Sequence, residues 1–491
     1  MLRVHKKPNL TARQAAFPHQ VDAFESLKDQ PYAAIVHEQG LGKTKIGLDL
    51  VLFWLAKGVA DSVLIVAKKG LIKNWRDEVA THSHLQPRIL SQDRTANFYA
   101  LNSPAALYLI HYEAVLSERH RLALFQKTRK VGVLLDEAHK IKNPEARVTI
   151  ALNELSVGFV RRVIMTGTPM ANRPFDLWSQ IKFLDNGKAL GTNFSKFKQE
   201  LDLKNDLDQN AARATAFADG LEATFQKIQS FTVRETKASA GLRLPDKTLF
   251  NRTCPLEPRQ AELYAEFRNE LAAIIVKKGK PILDDAEVIL KRLLRLVQIA
   301  AHPALVDHSY SGTPGKIPAL DSLVHEAIDA REKIIVWTSF ADNAERLREH
   351  FALYDAEVVH GGRNMAEREA SLMAFKTDPA CRVLVATPGA AKEGLTLTVA
   401  NHAVFYDRVF SLDDYLQAQD RIHRISQERP CFVTNLIGEN TIDSWVDSLL
   451  AAKNLAAKLG QGDIGRRTYE AMIDYRFGDM LKDVLGLEGE N

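Results

Sequence analysis

Three groups of residues in this sequence could together carry out phosphoryl transfer. The first is Gly40-Leu41-Gly42-Lys43-Thr44, which follows the apolar run Ala33–Val36 and opens the helix-length stretch Lys45–Ala56. A glycine-rich turn between a strand and a helix directs backbone N–H groups at phosphate oxygens. Lys43 would bring a point charge to the β- and γ-phosphates of a nucleotide, and the Thr44 hydroxyl would ligate Mg²⁺. His37 stands where a full phosphate-binding loop has its first glycine. The second group is Leu134-Leu135-Asp136-Glu137-Ala138-His139, an apolar strand that ends in adjacent carboxylates. Asp136 would hold Mg²⁺ through its waters, and Glu137 would orient and deprotonate the attacking water. The third is Gln417 to Arg424, where Arg421 and Arg424 are spaced to share a face if the stretch is helical. Positive charge supplied from outside the loop can speed loss of the γ-phosphate by several powers of ten, and such arginines couple hydrolysis to domain motion.

Each group has a plainer explanation. Gly-Lys-Thr is common in unrelated chains, a strand can end in solvated charges, and paired arginines can form an ordinary wet helix face. The combination is harder to dismiss, because the first two groups sit at a separation that fits two strands of one sheet.

The elements that must position these groups read as two α/β halves around a helical stretch. Short apolar runs suited to buried strands are Ala33–Val36, Val63–Val66, Tyr108–His111, Val131–Leu135 and Arg162–Thr166. Helix-length stretches such as Lys45–Ala56 and Ile72–Thr81 lie between them. That alternation predicts a parallel sheet with crossover helices. Asn193–Phe231 and Glu257–His302 show helical spacing instead, with Leu242–Lys247 as a linker between them. Strands resume at Ile334–Trp337, Ala356–Val359, Val383–Ala386, Ala403–Tyr406 and Cys431–Leu436, and the chain turns helical from about Thr441.

Composition narrows the class. The chain has 491 residues, 46% hydrophobic and 26% charged, which fits two or three globular domains. No apolar run is long enough for a membrane span, and no secretory signal follows the early basic residues. Cys254, Cys381 and Cys431 are far apart, which excludes a disulfide framework and points to a reducing, cytoplasmic location. The net charge of +4 is low for a protein that coats nucleic acid, so any such binding must use a local groove. Trp75 and Trp337 sit in apolar runs and read as packing residues rather than base-stacking platforms.

Taken in order, the motifs resemble those of superfamily 2 helicases, specifically the Swi/Snf-type DNA translocases, in a compact bacterial or viral form. The similarity runs from about Phe17 to Asp443. Phe17-Pro18-His19-Gln20 resembles the motif whose Gln reads adenine. Glu38 to Thr44 resembles motif I, and Leu64–Val66 through Asn74-Trp75 and Glu78 resembles motif Ia. His111-Tyr112-Glu113 resembles motif Ib, Asp136–His139 the DEAH box, and Met165-Thr166-Gly167-Thr168-Pro169 motif III. Phe231-Thr232-Val233-Arg234 with Lys237 resembles the lobe-linking segment. Val336–Phe340 resembles motif IV, with His360-Gly361-Gly362 as its sequel. Thr387 with Gly394-Leu395-Thr396-Leu397 and Asp407 resembles motif V, and Arg421–Gln427 motif VI. The sequence departs from the family pattern at His37, Lys68, Thr396 and Ser426.

The resemblance implies an α/β fold of two RecA-like parallel-sheet lobes in tandem, with helical insertions. Lobe 1 would span 1–245 with an insertion at about 190–235. Lobe 2 would span 246–445 with an insertion at about 256–303, and 446–491 would form a C-terminal helical tail. It implies an ATPase that uses ATP and Mg²⁺ to move along double-stranded DNA. ATP would contact Gln20, Glu38, Gly40, Leu41, Gly42, Lys43, Thr44 and Gly394, with Thr44 and Asp136 at the Mg²⁺. The catalytic residues would be Lys43, Asp136, Glu137, Arg421 and Arg424. His139, Thr166, Gly167, Thr168 and Gln417 would couple the lobes. Lys69, Tyr112, Ser339, Gly362 and Thr387 would touch the DNA backbone, where contacts carry no sequence information. Residue physics alone says only nucleic acid or another polymer. A strand-separating or annealing helicase on forked DNA is one alternative. Another is a remodeller of a DNA-bound protein such as RNA polymerase, with the helical insertion or the tail as the partner-binding element. A non-catalytic clamp that uses ATP as a switch is a third, and Glu137 with the paired arginines weighs against it.

Overall fold

A computed structural model of the chain describes residues 8–103, 105–170, 172–201, 211–241, 244–276, 286–390, 396–424 and 426–472. The chain divides into two compact units. One holds the residues up to 206 together with 210–242 and 456–471, and the other is chiefly 243–455.

The first unit is built on a parallel sheet. Its strands are β1 (Tyr32–Ile35), β2 (Ser62–Ala67), β3 (Arg88–Leu90), β4 (Leu107–His111), β5 (Val131–Asp136), β6 (Phe159–Met165) and β7 (Thr232–Val233), in the order β3-β4-β2-β5-β6-β1-β7. The second unit carries β8 (Lys247–Cys254), β9 (Ile334–Trp337), β10 (Glu357–Val359), β11 (Val383–Ala386), β12 (His402–Phe405) and β13 (Cys431–Gly438), in the order β10-β11-β9-β12-β13-β8. Every strand pairing in both sheets is parallel. A parallel sheet needs helices on both faces, so its strands are apolar throughout rather than alternating. β2, β4, β9 and β11 are buried at every residue. In the second unit Ile334 and Val336 enter one core and Ile335 and Trp337 the other, the two faces of one strand.

The ten strands expected from apolar runs are all present, with ends shifted by up to three residues. Three strands were not expected. β3 and β7 are only three and two residues long, and β8 is mostly exposed. β8 lies at the sheet edge, in register with all of β13 from Lys247–Cys431 to Cys254–Gly438. Its first residue was assigned to the linker. An edge strand with a wet face has no apolar run to announce it.

Among the described residues no helix is long and apolar enough to cross a membrane. The three cysteines are buried and none is in a disulfide.

One ammonium in the second unit is fully buried. Lys316, 0% exposed, precedes the helix Ile317–Asp329. It donates to the Tyr406 carbonyl at 3.0 Å and pairs with the Asp443 carboxylate at 2.5 Å. It thereby ties the end of β12 to the start of the helix Ile442–Gly460. Lys316→Met would leave Asp443 buried without its counter-charge, a loss of about 3–5 kcal/mol. The expected outcome is a lower urea midpoint, partly restored by adding Asp443→Leu; an unchanged midpoint for the single variant would contradict this account.

Candidate functional site

The phosphate loop begins where β1 ends. Val36 N–H donates to the Val233 carbonyl, and Glu38 N–H to the Glu235 carbonyl, so the segment after β7 braces the loop. The Glu38 carboxylate also accepts the Lys237 N–H at 2.8 Å. Gly42 has φ 72° and ψ 36° and forms the N-cap of the helix Lys43–Ala56. The left-handed backbone there favours glycine, and a β-carbon would lie 2.2 Å from Gln20 Nε2 and displace that amide. The Gln20 amide donates to the Leu41 carbonyl at 3.3 Å, and a ring nitrogen of His19 lies 3.1 Å from the same oxygen. Lys43 donates to the carbonyls of His37 and Glu38, at 2.9 and 3.2 Å. Gln20, Glu38, Gly40, Leu41, Gly42, Lys43 and Thr44, far apart in sequence at one end, form one structure around the loop.

The carboxylate pair lies at the end of β5. Asp136 Oδ2 accepts from the Trp75 indole at 2.8 Å, and Oδ1 accepts from the Glu137 N–H at 2.9 Å. The Tyr112 hydroxyl donates to the Asp136 carbonyl at 2.7 Å. Glu137 holds φ 51° and ψ 51°, a left-handed conformation that a non-glycine residue adopts at some cost. Burial and the neighbouring Glu137 carboxylate push the Asp136 carboxyl up to about 6. Burial also disfavours charge on Glu137, yet His139, with Lys68 and Lys43 beyond it, holds that carboxyl below its ordinary range. His139 Nδ1 is 3.2 Å from Glu137 Oε2, at angles outside a good hydrogen bond, so the contact is electrostatic. Lys43 lowers both carboxyls, which places the loop lysine and the acidic pair in one electrostatic neighbourhood.

The stretch after β6 joins the same site. Thr166 N–H donates to the Ile35 carbonyl, and the Thr168 N–H lies 3.3 Å from the Thr166 hydroxyl as donor to it. A β-carbon at Gly167 would lie 3.0 Å from Gln39 Cγ in the loop. Thr166, Gly167 and Thr168 are thus packed on the phosphate loop. Lys69 is exposed just after β2. Tyr112 is 2% exposed, and the hydroxyl expected to face DNA is directed at Asp136.

In the second unit the expected contact residues also follow strand ends. Ser339 comes after β9, Gly362 after β10 and Thr387 after β11. The Ser339 N–H donates to Asp407 at 2.7 Å, and the Thr338 hydroxyl donates to the other Asp407 oxygen at 2.5 Å. The Gly362 N–H donates to His360 Nδ1 at 3.2 Å, and His360 in turn meets Glu345 at 2.8 Å. Thr387 N–H donates to the Val359 carbonyl. Crevices outside the carboxyl ends of parallel strands are where such sheets bind ligands.

The arginine pair differs from expectation in one respect. The helix Leu412–Gln419 ends before Arg421, and Arg421 to Arg424 lie in turns, so they do not share a helix face. The physical reason is competition for carbonyls. The Arg421 carbonyl accepts from Leu397 N–H, and the Ile422 carbonyl from the Gln427 amide, in place of helical partners. Arg421 is 2% exposed, whereas Arg424 is half-buried. Arg424 donates to the Asp420 carbonyl and, at 2.9 Å, to the Thr396 hydroxyl. Ser426 meets Thr398 at 3.0 Å. Two positions that depart from the family pattern therefore carry hydrogen bonds around Arg424. Gln417 is buried and donates to Asp413 at 2.8 Å. Gly394 lies outside the described residues.

Sequence reasoning missed the indole bond of Trp75. Its burial was foreseen, and a buried indole N–H needs an acceptor, so the question of a partner was already posed. It also missed Gln39, for which the sequence holds no signal beyond its place in the loop.

The donor set suits Mg²⁺. Among the described residues no cluster of three or more His, Cys, Asp or Glu could cage a metal. Mg²⁺ needs no such cage, since it takes one or two protein oxygens and completes its shell with phosphate and water. Asp136 and Thr44 offer such oxygens, and the raised Asp136 carboxyl is what a cation would relieve.

Two family models match the chain. The SNF2-related domain matches residues 25–305, and the helicase conserved C-terminal domain matches residues 315–426. The chain is 27% identical over 463 residues to an uncharacterized ATP-dependent helicase of Mycoplasma pneumoniae, covering 91% of this chain and 42% of that one. It is 27% identical over 445 residues to the putative ATP-dependent helicase/translocase YwqA of Bacillus subtilis, covering 86% and 45% respectively. The chain thus spans less than half the length of these two relatives. A Sulfolobus solfataricus SWI2/SNF2 ATPase core in complex with dsDNA aligns over 96% of this chain and 99% of its own, at 26% identity and a TM-score of 0.43.

His37 makes the site sensitive to acid. It is 2% exposed, and neither ring nitrogen has a hydrogen bond of good geometry. Burial, with Lys43 nearby, lowers its pKa to about 4. Between that value and the ordinary 6.5 the unfolded chain binds the extra proton, so stability falls as pH drops through this window. The expected loss from pH 7 to pH 5 is about 2 kcal/mol. Urea unfolding at both pH values checks it: the loss should shrink in His37→Gln, and an equal loss in both proteins would contradict it.

Proposed function

We propose, for a chain that belongs to the SNF2-related domain family, that it hydrolyses ATP to translocate along double-stranded DNA and remodel DNA or DNA-bound complexes. The reading rests above all on one observation: the loop that carries Lys43 follows β1 and the acidic pair ends β5, the two strands that flank β6 in one parallel sheet. A phosphate-binding lysine beside an acidic pair is the minimum apparatus for cleaving a phosphoanhydride with water.

On this reading each group has a role. The loop N–H groups and Lys43 bind the phosphates, and Gln20 stands beside the loop to read the base. Asp136 and Thr44 would hold Mg²⁺, which would neutralise charge on the transferred phosphoryl group. Glu137, kept anionic by its neighbours, orients the attacking water and accepts its proton. Trp75 and Tyr112 fix the Asp136 end of the strand. Arg424 supplies the outside charge, and Arg421, buried, supports its turn. Lys69, Ser339, Gly362 and Thr387 follow strand ends and grip DNA phosphates. Tyr112 serves mainly as a brace to Asp136.

Lys43→Ala should abolish ATP turnover, and Glu137→Gln should bind ATP but fail to hydrolyse it. Normal turnover in either would refute the site assignment. Arg424→Ala should cut kcat by about a thousandfold or more with ATP affinity nearly unchanged; a pure binding defect would exclude that role. ATPase rates should rise more with duplex DNA than with single-stranded DNA, RNA or forked DNA. Equal stimulation by all four would remove the duplex track, and a preference for the fork would favour strand separation or annealing.

A further inference from the structure

Residues 456–471 belong to the first unit although the chain reaches them after the second sheet. The segment is bonded to Asp219 through Arg466, and to Arg234, which follows β7, through Asp463. Arg234 Nε and Nη2 donate to the two Asp463 oxygens at 2.9 and 2.7 Å, and Nη1 donates to the Val36 carbonyl at 2.6 Å. Such a two-pronged pairing fixes the guanidinium in angle as well as distance. Both side chains are largely covered, at 16% and 12% exposure, so the pair is shielded from solvent. Val36 is the residue immediately before the loop, and Lys43 reaches back to the carbonyls of the next two residues.

The same segment touches the stretch after β6. A β-carbon at Gly460 would lie 2.6 Å from Met170 Cε, so this glycine lets the backbone sit against Met170. Gly462, at φ 77°, ends the helix, and Asp463 N–H donates to the Lys458 carbonyl, which sets Asp463 opposite Arg234. One short segment therefore bears on both sides of the nucleotide site, the entry to the phosphate loop and the exit of β6.

We infer that Asp463 is a positioning residue for nucleotide binding: through Arg234 and the Val36 carbonyl, the strap formed by residues 456–471 sets the entry angle of the phosphate loop. The inference rests on the reading that this loop binds ATP. Linkage makes the effect reciprocal, so nucleotide on the loop must also steady the strap.

Asp463→Asn keeps the size and removes the charge. It should raise KM for ATP about tenfold with kcat within about twofold, and Asp463→Glu should recover most of the affinity. In the wild-type chain, a non-hydrolysable ATP analogue should slow amide hydrogen exchange across 456–471. An unchanged KM in folded Asp463→Asn, even with a lower Tm, overturns the inference and leaves a merely structural pair. If that variant does not fold, the exchange experiment decides, and unchanged exchange overturns it. Lys43→Ala separates the two levels. If it still turns over ATP, the nucleotide-site reading fails; if it is dead while Asp463→Asn has normal KM, only the strap fails.

Discussion

Two adjacent carboxylates at the end of β5 impose the demand that most of the first unit answers. Asp136 and Glu137 are half-buried, and like charges so close cannot both ionise without compensation. The surroundings treat them differently. Asp136 receives an indole N–H and a backbone N–H but remains pushed up, while Glu137 faces His139, Lys68 and Lys43 and is held low. Neighbouring groups driven apart in this way suit different tasks, one as a cation ligand and one as a base. The left-handed backbone at Glu137 is the local strain that this arrangement retains.

The parallel sheet makes the gathering of these groups feasible. All its strands end on one edge, so loops that are remote in sequence become neighbours there. The start of the helix Pro18–Leu27 clasps the Leu41 carbonyl, the stretch after β6 packs on Gln39, and the segment after β7 braces Val36 and Glu38. Gly42 is the point where these demands collide, because the Gln20 amide occupies the space a side chain would need. The loop is therefore shaped from outside as much as by its own glycines.

The second unit answers a different demand, that of holding polar groups still inside a covered sheet. Asp407 is buried and pushed up by burial, with Thr338 and Ser339 donating to it. Lys316 pairs with Asp443 below the same strand end. Buried polar groups that are well partnered in this way help to rigidify a core. Arg424 is anchored by the Asp420 carbonyl and the Thr396 hydroxyl. The hydroxyl at 396, where the family pattern usually has another residue, has a definite partner.

Much of this was legible in the residues themselves. Strand–helix alternation gave both parallel sheets, because strands covered on two faces must be continuously apolar, as β2 and β9 are. The glycine turn with Lys43 and the acidic pair could be identified because phosphate chemistry restricts which residue types serve. β8 was not legible, since an exposed edge strand is defined by its partner β13 and not by its own pattern. The turn at Arg421 was not legible either, because the carbonyls there are claimed by Leu397 and Gln427 from elsewhere in the chain. Sequence alone determined which residues can do the chemistry, for that depends on functional groups and local spacing. Only the tertiary structure decided which of them have partners: Tyr112 turned to Asp136, Trp75 bonded to the same residue, and Asp463 brought to Arg234 across more than two hundred residues. Those pairings come from packing between distant segments, and no local pattern encodes them.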